Sequence, residues 1–261
     1  MAFNRITDFI SYYMGSVNEH GIHSPFVFKL LTESVYLKTK EPAFDQIEKI
    51  RSQLFADKRI IEITDLGAGS RYDGVPQKRK VADMTRRFAK SPKYGRLLFR
   101  LVNHLKPKVM VELGTSLGIS AMYQSAGNPA AVLYTLEGDA ATAALATANF
   151  QTASFNAIKT ITGNFNDTLP TLLINLGVVD YVFIDGNHTY EATMNYFRLL
   201  KKHKVPTTVL VFDDIHWSNE MYTAWKEIKA DPEVTISIDF FALGLVFFNP
   251  DFTKQEFIIR Y

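Results

Sequence analysis

The 261-residue chain contains no cysteine, which excludes disulfides and thiolate-bound metals and leaves the compartment open. No apolar run approaches the ~18 residues of a membrane span, and Met1–Asp8 lacks the apolar stretch of a signal peptide. A soluble, cytoplasmic protein without a membrane partner is the expectation. The chain also lacks internal repeats and low-complexity tracts. Net charge is small, +2, but uneven: residues 71–100 carry ten basic groups against Asp73 and Asp83, leaving the remainder at −6. What is present is apolar side chain, 47% of the residues. A chain of this size buries roughly three quarters of its unfolded surface, enough for a stable core.

The sharpest signal is Val109-Met-Val-Glu-Leu-Gly-Thr-Ser-Leu-Gly-Ile-Ser120, followed by Tyr134-Thr-Leu-Glu-Gly-Asp139. An apolar strand breaks at Gly114 and Gly118, and a second strand ends in Glu137, nineteen residues beyond Gly118. An acid at that place accepts hydrogen bonds from a ribose, while the glycines admit close approach of the backbone. The spacing is G-x-x-x-G, so the second glycine that would admit a pyrophosphate is missing. Glu112 instead suits a ligand with a cationic amino-acid end.

From about residue 105, short apolar runs alternate with amphipathic helices, the mark of a parallel sheet covered on both faces. Strands are expected at 109–113, 132–136, 158–161, 179–184 and 207–212. Helices are expected at about 117–126, 139–150, 166–175, 189–203 and 218–229. Residues 234–239 and 243–248 lie too close together for a parallel crossover and must form an antiparallel hairpin. Two strands end in acids: Asp185 after Val179–Ile184, and Asp213-Asp214 after Thr208–Phe212. If these strands are neighbours, three carboxylates meet at one rim and require a cation or a bound proton. An all-oxygen set favours Mg²⁺, Mn²⁺ or Ca²⁺ over zinc.

The turn, the acid and the order of elements resemble the class I S-adenosylmethionine-dependent methyltransferases over about 105–250. The resemblance implies an α/β, Rossmann-like sheet of five parallel strands plus a C-terminal hairpin. It implies S-adenosylmethionine held by Glu112, Gly114, Thr115, Ser116, Gly118, Ser120, Glu137 and Asp185, with Gly163 and Asn164 near its adenine. Asp185, Asp213 and Asp214 are similar to the ion ligands of metal-assisted O-methyltransferases, in which the ion lowers the pKa of an acceptor hydroxyl. That family often carries an acid two residues after the first ligand; here Asn187 stands there, and His188 becomes the candidate base beside Asp185. The other reading of His188 is a cap on the following helix, and Asp185, Asp213 and Asp214 could likewise be caps.

Residues 1–90 are expected to form a mainly helical extension with a short hairpin, and 91–261 the methyltransferase domain. Segments 3–14, 25–37 and 43–56 look helical, Ile60–Thr64 looks like a strand, and Ser91-Pro92 starts a helix running to Leu105. Phe26, Val27, Phe28, Leu30 and Leu31 are too apolar to stay in water together, and residues 1–60 are expected over the carboxyl ends of the strands. Gly21-Ile-His23-Ser-Pro-Phe26 resembles a bacterial subgroup of class I methyltransferases without naming a substrate; His23 is either a lid residue or part of a helix start. Asp65-Leu-Gly-Ala-Gly-Ser70 is a second glycine turn, but a basic loop follows it. His216 and Trp217 could wall a pocket or cover the sheet end. The basic 71–100 segment is a solvated face, a dock for an acidic small molecule, or an RNA grip. Methylation of a small-molecule acceptor, at oxygen, is the reading these features favour, with a homodimer left open. An RNA-modifying enzyme, a silent cofactor-binding protein and a nicotinamide-dependent oxidoreductase are the alternatives.

Overall fold

The computed structural model describes residues 5–64 and 76–261. Helix α1 (Arg5–Gly15) leads through a short 3₁₀ turn to α2 (Pro25–Leu30). Ser24 starts α2 by accepting from the Val27 N–H, with Pro25 supplying a pre-set φ in the first turn, so the His23 segment serves as a helix start and His23 itself is exposed. A π-type turn, Leu31–Val35, precedes α3 (Pro42–Ala56). Strand β1 (Ile60–Thr64) pairs antiparallel with β2 (Pro76–Lys80). The Asp65–Ser70 glycine turn lies outside the described residues.

Helix α4 (Val81–Phe88) follows directly and was not expected, because its basic surroundings hide its period. Val81, Ala82, Met84 and Thr85 face inward while Arg86 and Arg87 stay outside. Then come α5 (Pro92–Leu105), β3 (Val109–Leu113), α6 (Ile119–Gly127), β4 (Val132–Glu137), α7 (Ala140–Thr152) and β5 (Ile158–Thr162). The chain continues with α8 (Phe165–Leu176), β6 (Val179–Ile184), α9 (Tyr190–Lys201), β7 (Lys204–Asp213) and α10 (Asn219–Ala230). Strands β8 (Ile236–Asp239), β9 (Leu243–Phe247) and β10 (Gln255–Ile258) end it.

Eight strands form the main sheet in the order β10-β8-β9-β7-β6-β3-β4-β5. Strands β3 to β7 are mutually parallel, and β9 runs antiparallel to both β7 and β8. The expected five strands and hairpin are therefore present. An eighth strand, β10, lies parallel to β8 at the edge. It was unforeseen because Gln255 and Glu256 make it polar and exposed.

Strand alternation assigns the core. Met110, Tyr181, Phe183, Val209, Val211 and Leu245 enter one layer, Val111, Val182, Ile184, Leu210 and Phe212 the other. Each such burial contributes roughly 1.5–3 kcal/mol. The first layer is shared by α5 and α6 with Val27, Leu30 and Leu31 and with Phe44, Ile47 and Leu54 of α3. Phe26 packs on Phe247 and Phe252, with ring centres 5.0 and 4.8 Å apart. Residues 5–60 thus cover a face of the sheet, which corrects their expected place over the strand ends. Parts of the extension also reach that edge: Phe9 meets Phe241 beyond β8, Tyr12 donates to the Ile259 carbonyl at 2.5 Å, Val17 bridges to Ile259, and Tyr36 donates to the Arg260 carbonyl at 2.9 Å.

Candidate functional site

The sheet reverses its winding between β3 and β6, and such a switch point opens a crevice beyond the carboxyl ends of the strands. A cavity of about 1240 Å³ lies there, floored by the loops after β3, β4, β6 and β7. Its outer wall is Ile63, Thr64, Arg79, Met84, Arg87 and Phe88, from β1, β2 and α4. Among the described residues none in 5–60 lines it. The described cover comes from 63–64 and 79–88, where the sequence drew attention to charge rather than shape.

The glycine turn is set by contact. Gly114 has φ +100°, and a Cβ there would lie 2.1 Å from the Asp185 carbonyl oxygen. Leu113 and Asp185 are already joined by a 2.8 Å backbone bond across the switch point. Gly118 has φ +86° and abuts the Phe150 ring. Only glycine satisfies both the left-handed backbone and the close approach.

Glu137 ends β4 at the crevice and accepts from the Ser116 N–H at 2.8 Å and the Asp139 N–H at 3.2 Å. Burial raises its pKa, against these backbone donors. Asp139 caps α7 through the Thr142 N–H at 2.7 Å and also receives the Thr64 N–H at 2.8 Å. One carboxylate thereby ties the hairpin wall to the rim of the crevice.

Thr115, Ser116, Ser120, Asn164 and Asp185 line the cavity with Gly114 and Glu137. Gly163 lies one residue behind Asn164, donating to the Glu137 carbonyl at 2.9 Å. Glu112 is sealed beneath the turn and fully buried. The Thr135 hydroxyl donates to it at 2.5 Å and itself contacts the Thr115 hydroxyl at 2.6 Å; Gln124 donates to the other oxygen at 2.7 Å. Burial, partly offset by these donors, pushes the Glu112 carboxyl up to about 7.

The acids after β6 and β7 do converge. Asp185, His188 and Asp213 each offer an atom within 4.8 Å of the others, and His188 Nε2 lies 3.6 Å from Asp185 Oδ1. Asp214 lines the cavity, with left-handed backbone at φ 53°, but does not belong to that group. Sequence reasoning missed the central residue, Lys90. Its Nζ lies 3.1 Å from Asp185 Oδ2 and forms a tighter ion pair with Asp213 Oδ2. Burial opposes its charge, but Asp185 and Asp213 outweigh that and raise its pKa. Burial and the neighbouring Asp213 together raise Asp185; for Asp213 burial is outweighed by Lys90, which holds it ionised.

The donor set expected for Mg²⁺, Mn²⁺ or Ca²⁺ therefore differs from Asp185, Asp213 and Asp214 as read from the sequence. An ammonium stands among the oxygens, and a dication about 4 Å from it would meet repulsion of roughly 8 kcal/mol at an effective dielectric of about 20. With Lys90 in place these residues do not fit a divalent ion. No local pattern marks Lys90, which precedes the Ser91-Pro92 helix start amid other basic residues.

His216 is turned into the protein, 2.8 Å from Asp239, while Trp217 lines the cavity half-exposed. Asn187 has φ 54°, a conformation asparagine tolerates, and Thr189 rather than His188 caps α9.

Residues 111–215 match the sequence family described as a methyltransferase domain. The fold is that of the class I methyltransferases. Solved structures of this methyltransferase fold include an O-methyltransferase from Bacillus cereus in complex with SAH, 19% identical with a TM-score of 0.55 over 81% of this chain and 93% of that one. The O-methyltransferase TomG from Streptomyces achromogenes, involved in tomaymycin synthesis and solved with SAM, is 17% identical, with a TM-score of 0.58 over 85% and 94% of the two chains. SAH-bound PaMTH1 from Podospora anserina is 17% identical, with a TM-score of 0.57 over 95% and 97%. At such identities the likeness concerns the fold. No curated protein matches the sequence. No helix among the described residues is long and apolar enough to cross a membrane.

Proposed function

We propose that this chain is a methyltransferase that uses S-adenosylmethionine to methylate an oxygen of a small-molecule acceptor. The observation that carries the reading is a single cavity joining the Gly114–Gly118 turn and Glu137 to Asp185, His188 and Asp213. When bound, S-adenosylmethionine supplies a methyl group on a sulfonium, open to in-line attack by a nucleophile. Glu137 suits the ribose hydroxyls, since its position at the rim leaves carboxylate lone pairs beyond those used by Ser116 and Asp139. Gly114 lets the turn approach the amino-acid end, and Asn164 lies where the adenine edge would pass. Glu112 acts from beneath, holding Thr135 and the turn rather than touching the ligand.

At the other end of the cavity His188 accepts the acceptor's proton, with Asp185 beside it to steady the imidazolium. Thr64, Phe88 and Trp217 close the space above and exclude water. A cover built on residues 60–64 and 76–90 and a domain proper from 91 onward is the division we favour, although one hydrophobic layer runs across that boundary. The described cavity is a pocket rather than an open basic stripe, which supports a small acceptor over RNA.

Calorimetric titration with S-adenosylmethionine and with NAD, followed by a panel of hydroxyl-bearing acceptors, tests the reading. Binding of the first and methyl transfer to oxygen are expected. Tight NAD binding without S-adenosylmethionine binding would overturn it. Once an acceptor is found, His188→Gln should lower turnover by about 10²–10⁴ while leaving S-adenosylmethionine binding intact.

A further inference from the structure

We infer that the Lys90 ammonium occupies the place a divalent cation would otherwise take between the ends of β6 and β7, and that this chain methylates without a metal. Its position stands independently of the proposed function; its role in methyl transfer rests on that reading.

The placement is built rather than incidental. The Lys90 backbone is fixed from α3, where the buried Arg51 guanidinium donates to the Lys90 carbonyl and is itself oriented by Glu48 at 3.0 Å. The Lys90 chain then crosses the Phe183 ring, with its nitrogen 5.6 Å from the ring centre, before reaching both carboxylates. An ammonium has three N–H donors, and Asp185 and Asp213 engage two. The third is left for an acceptor oxygen in the cavity that Lys90 lines. A donor there favours the oxyanion over the hydroxyl, which is the service a dication renders. It does so without the six or more oxygen ligands that Mg²⁺ or Ca²⁺ demands. The N-terminal extension thus contributes to the chemistry: α3 holds the segment that delivers the charge.

The test is Mn²⁺ binding by the purified full chain, read as loss of the free-ion EPR signal and by calorimetry, with no acceptor required. Wild type should bind no Mn²⁺ at the cavity up to about 1 mM, and Lys90→Met, which keeps the apolar stem over Phe183, should bind one ion at least tenfold more tightly. Adding Asp213→Asn to Lys90→Met should abolish that site. Stoichiometric Mn²⁺ on wild type, lost in Asp213→Asn, would overturn the inference. So would a folded Lys90→Met chain that binds none, because the carboxylates would then be no ion site at all. Should Lys90→Met lack a cooperative melt, Lys90→Gln takes its place and is read by the same criteria. S-adenosylmethionine titration of wild type runs in parallel: its failure would count against the proposed function, while the Mn²⁺ result still reports on Lys90.

Discussion

The Ser116 N–H donates to Glu137 Oε2 at 2.8 Å, so the acid that ends β4 also secures the turn that ends β3. Two features that look separate in the sequence form one device. Glu137→Ala should therefore weaken S-adenosylmethionine binding roughly ten- to a hundredfold, through loss of a charge-assisted contact and loosening of the turn. Glu137→Gln, which retains an oxygen acceptor for Ser116, should lose less. Calorimetry on both variants checks this; unchanged affinity in Glu137→Ala would remove Glu137 from the site.

Glu112 makes stability depend on pH. Its carboxyl is raised from an ordinary value of 4.5 to about 7 by burial. Between those values the folded chain holds a proton that the unfolded chain releases, so its contribution falls as pH rises through the window. Glu112→Gln, neutral throughout, should be more stable than wild type at pH 8 by on the order of 3 kcal/mol and nearly equal to it below pH 4.5. Chemical denaturation at the two pH values measures the difference; a constant difference would contradict it.

Gly114→Ala meets two penalties at once, a left-handed backbone and a Cβ 2.1 Å from the Asp185 carbonyl oxygen. Strain of that backbone kind costs about 1–3 kcal/mol before the clash is counted. The variant should melt well below wild type and lose cofactor binding. Gly177→Ala, at φ +74° with open space around it, should show the backbone cost alone.

Asp139 couples the hairpin to α7 through Thr64 and Thr142. Asp139→Ala should cost about 1–2 kcal/mol as a lost helix cap. Beyond that cost, amide exchange at Thr64 should accelerate, because its N–H loses its partner. A variant destabilised globally without selective exposure of Thr64 would show that the wall is held by other contacts.

The sequence by itself determined the sheet and the turn. Alternating apolar runs and glycine-bounded strands are local patterns, and β3 to β9 appear at or within three residues of where the periodicity places them. The acids at strand ends were legible for the same reason: a strand's terminus is a local feature, and topology carries it to the rim. Three other things depended on the packed chain. β10 is too polar to announce itself and gains its place by pairing with β8. Helix α4 hides among basic residues and emerges because its apolar side has α3 to meet. Lys90 sits 123 residues from Asp213, and nothing near it in the chain marks it as different from nine other basic residues in that segment. Charge pairing in a buried crevice is a relation between distant parts of the chain, and only the tertiary structure decided which lysine would balance the acids that the sequence had placed.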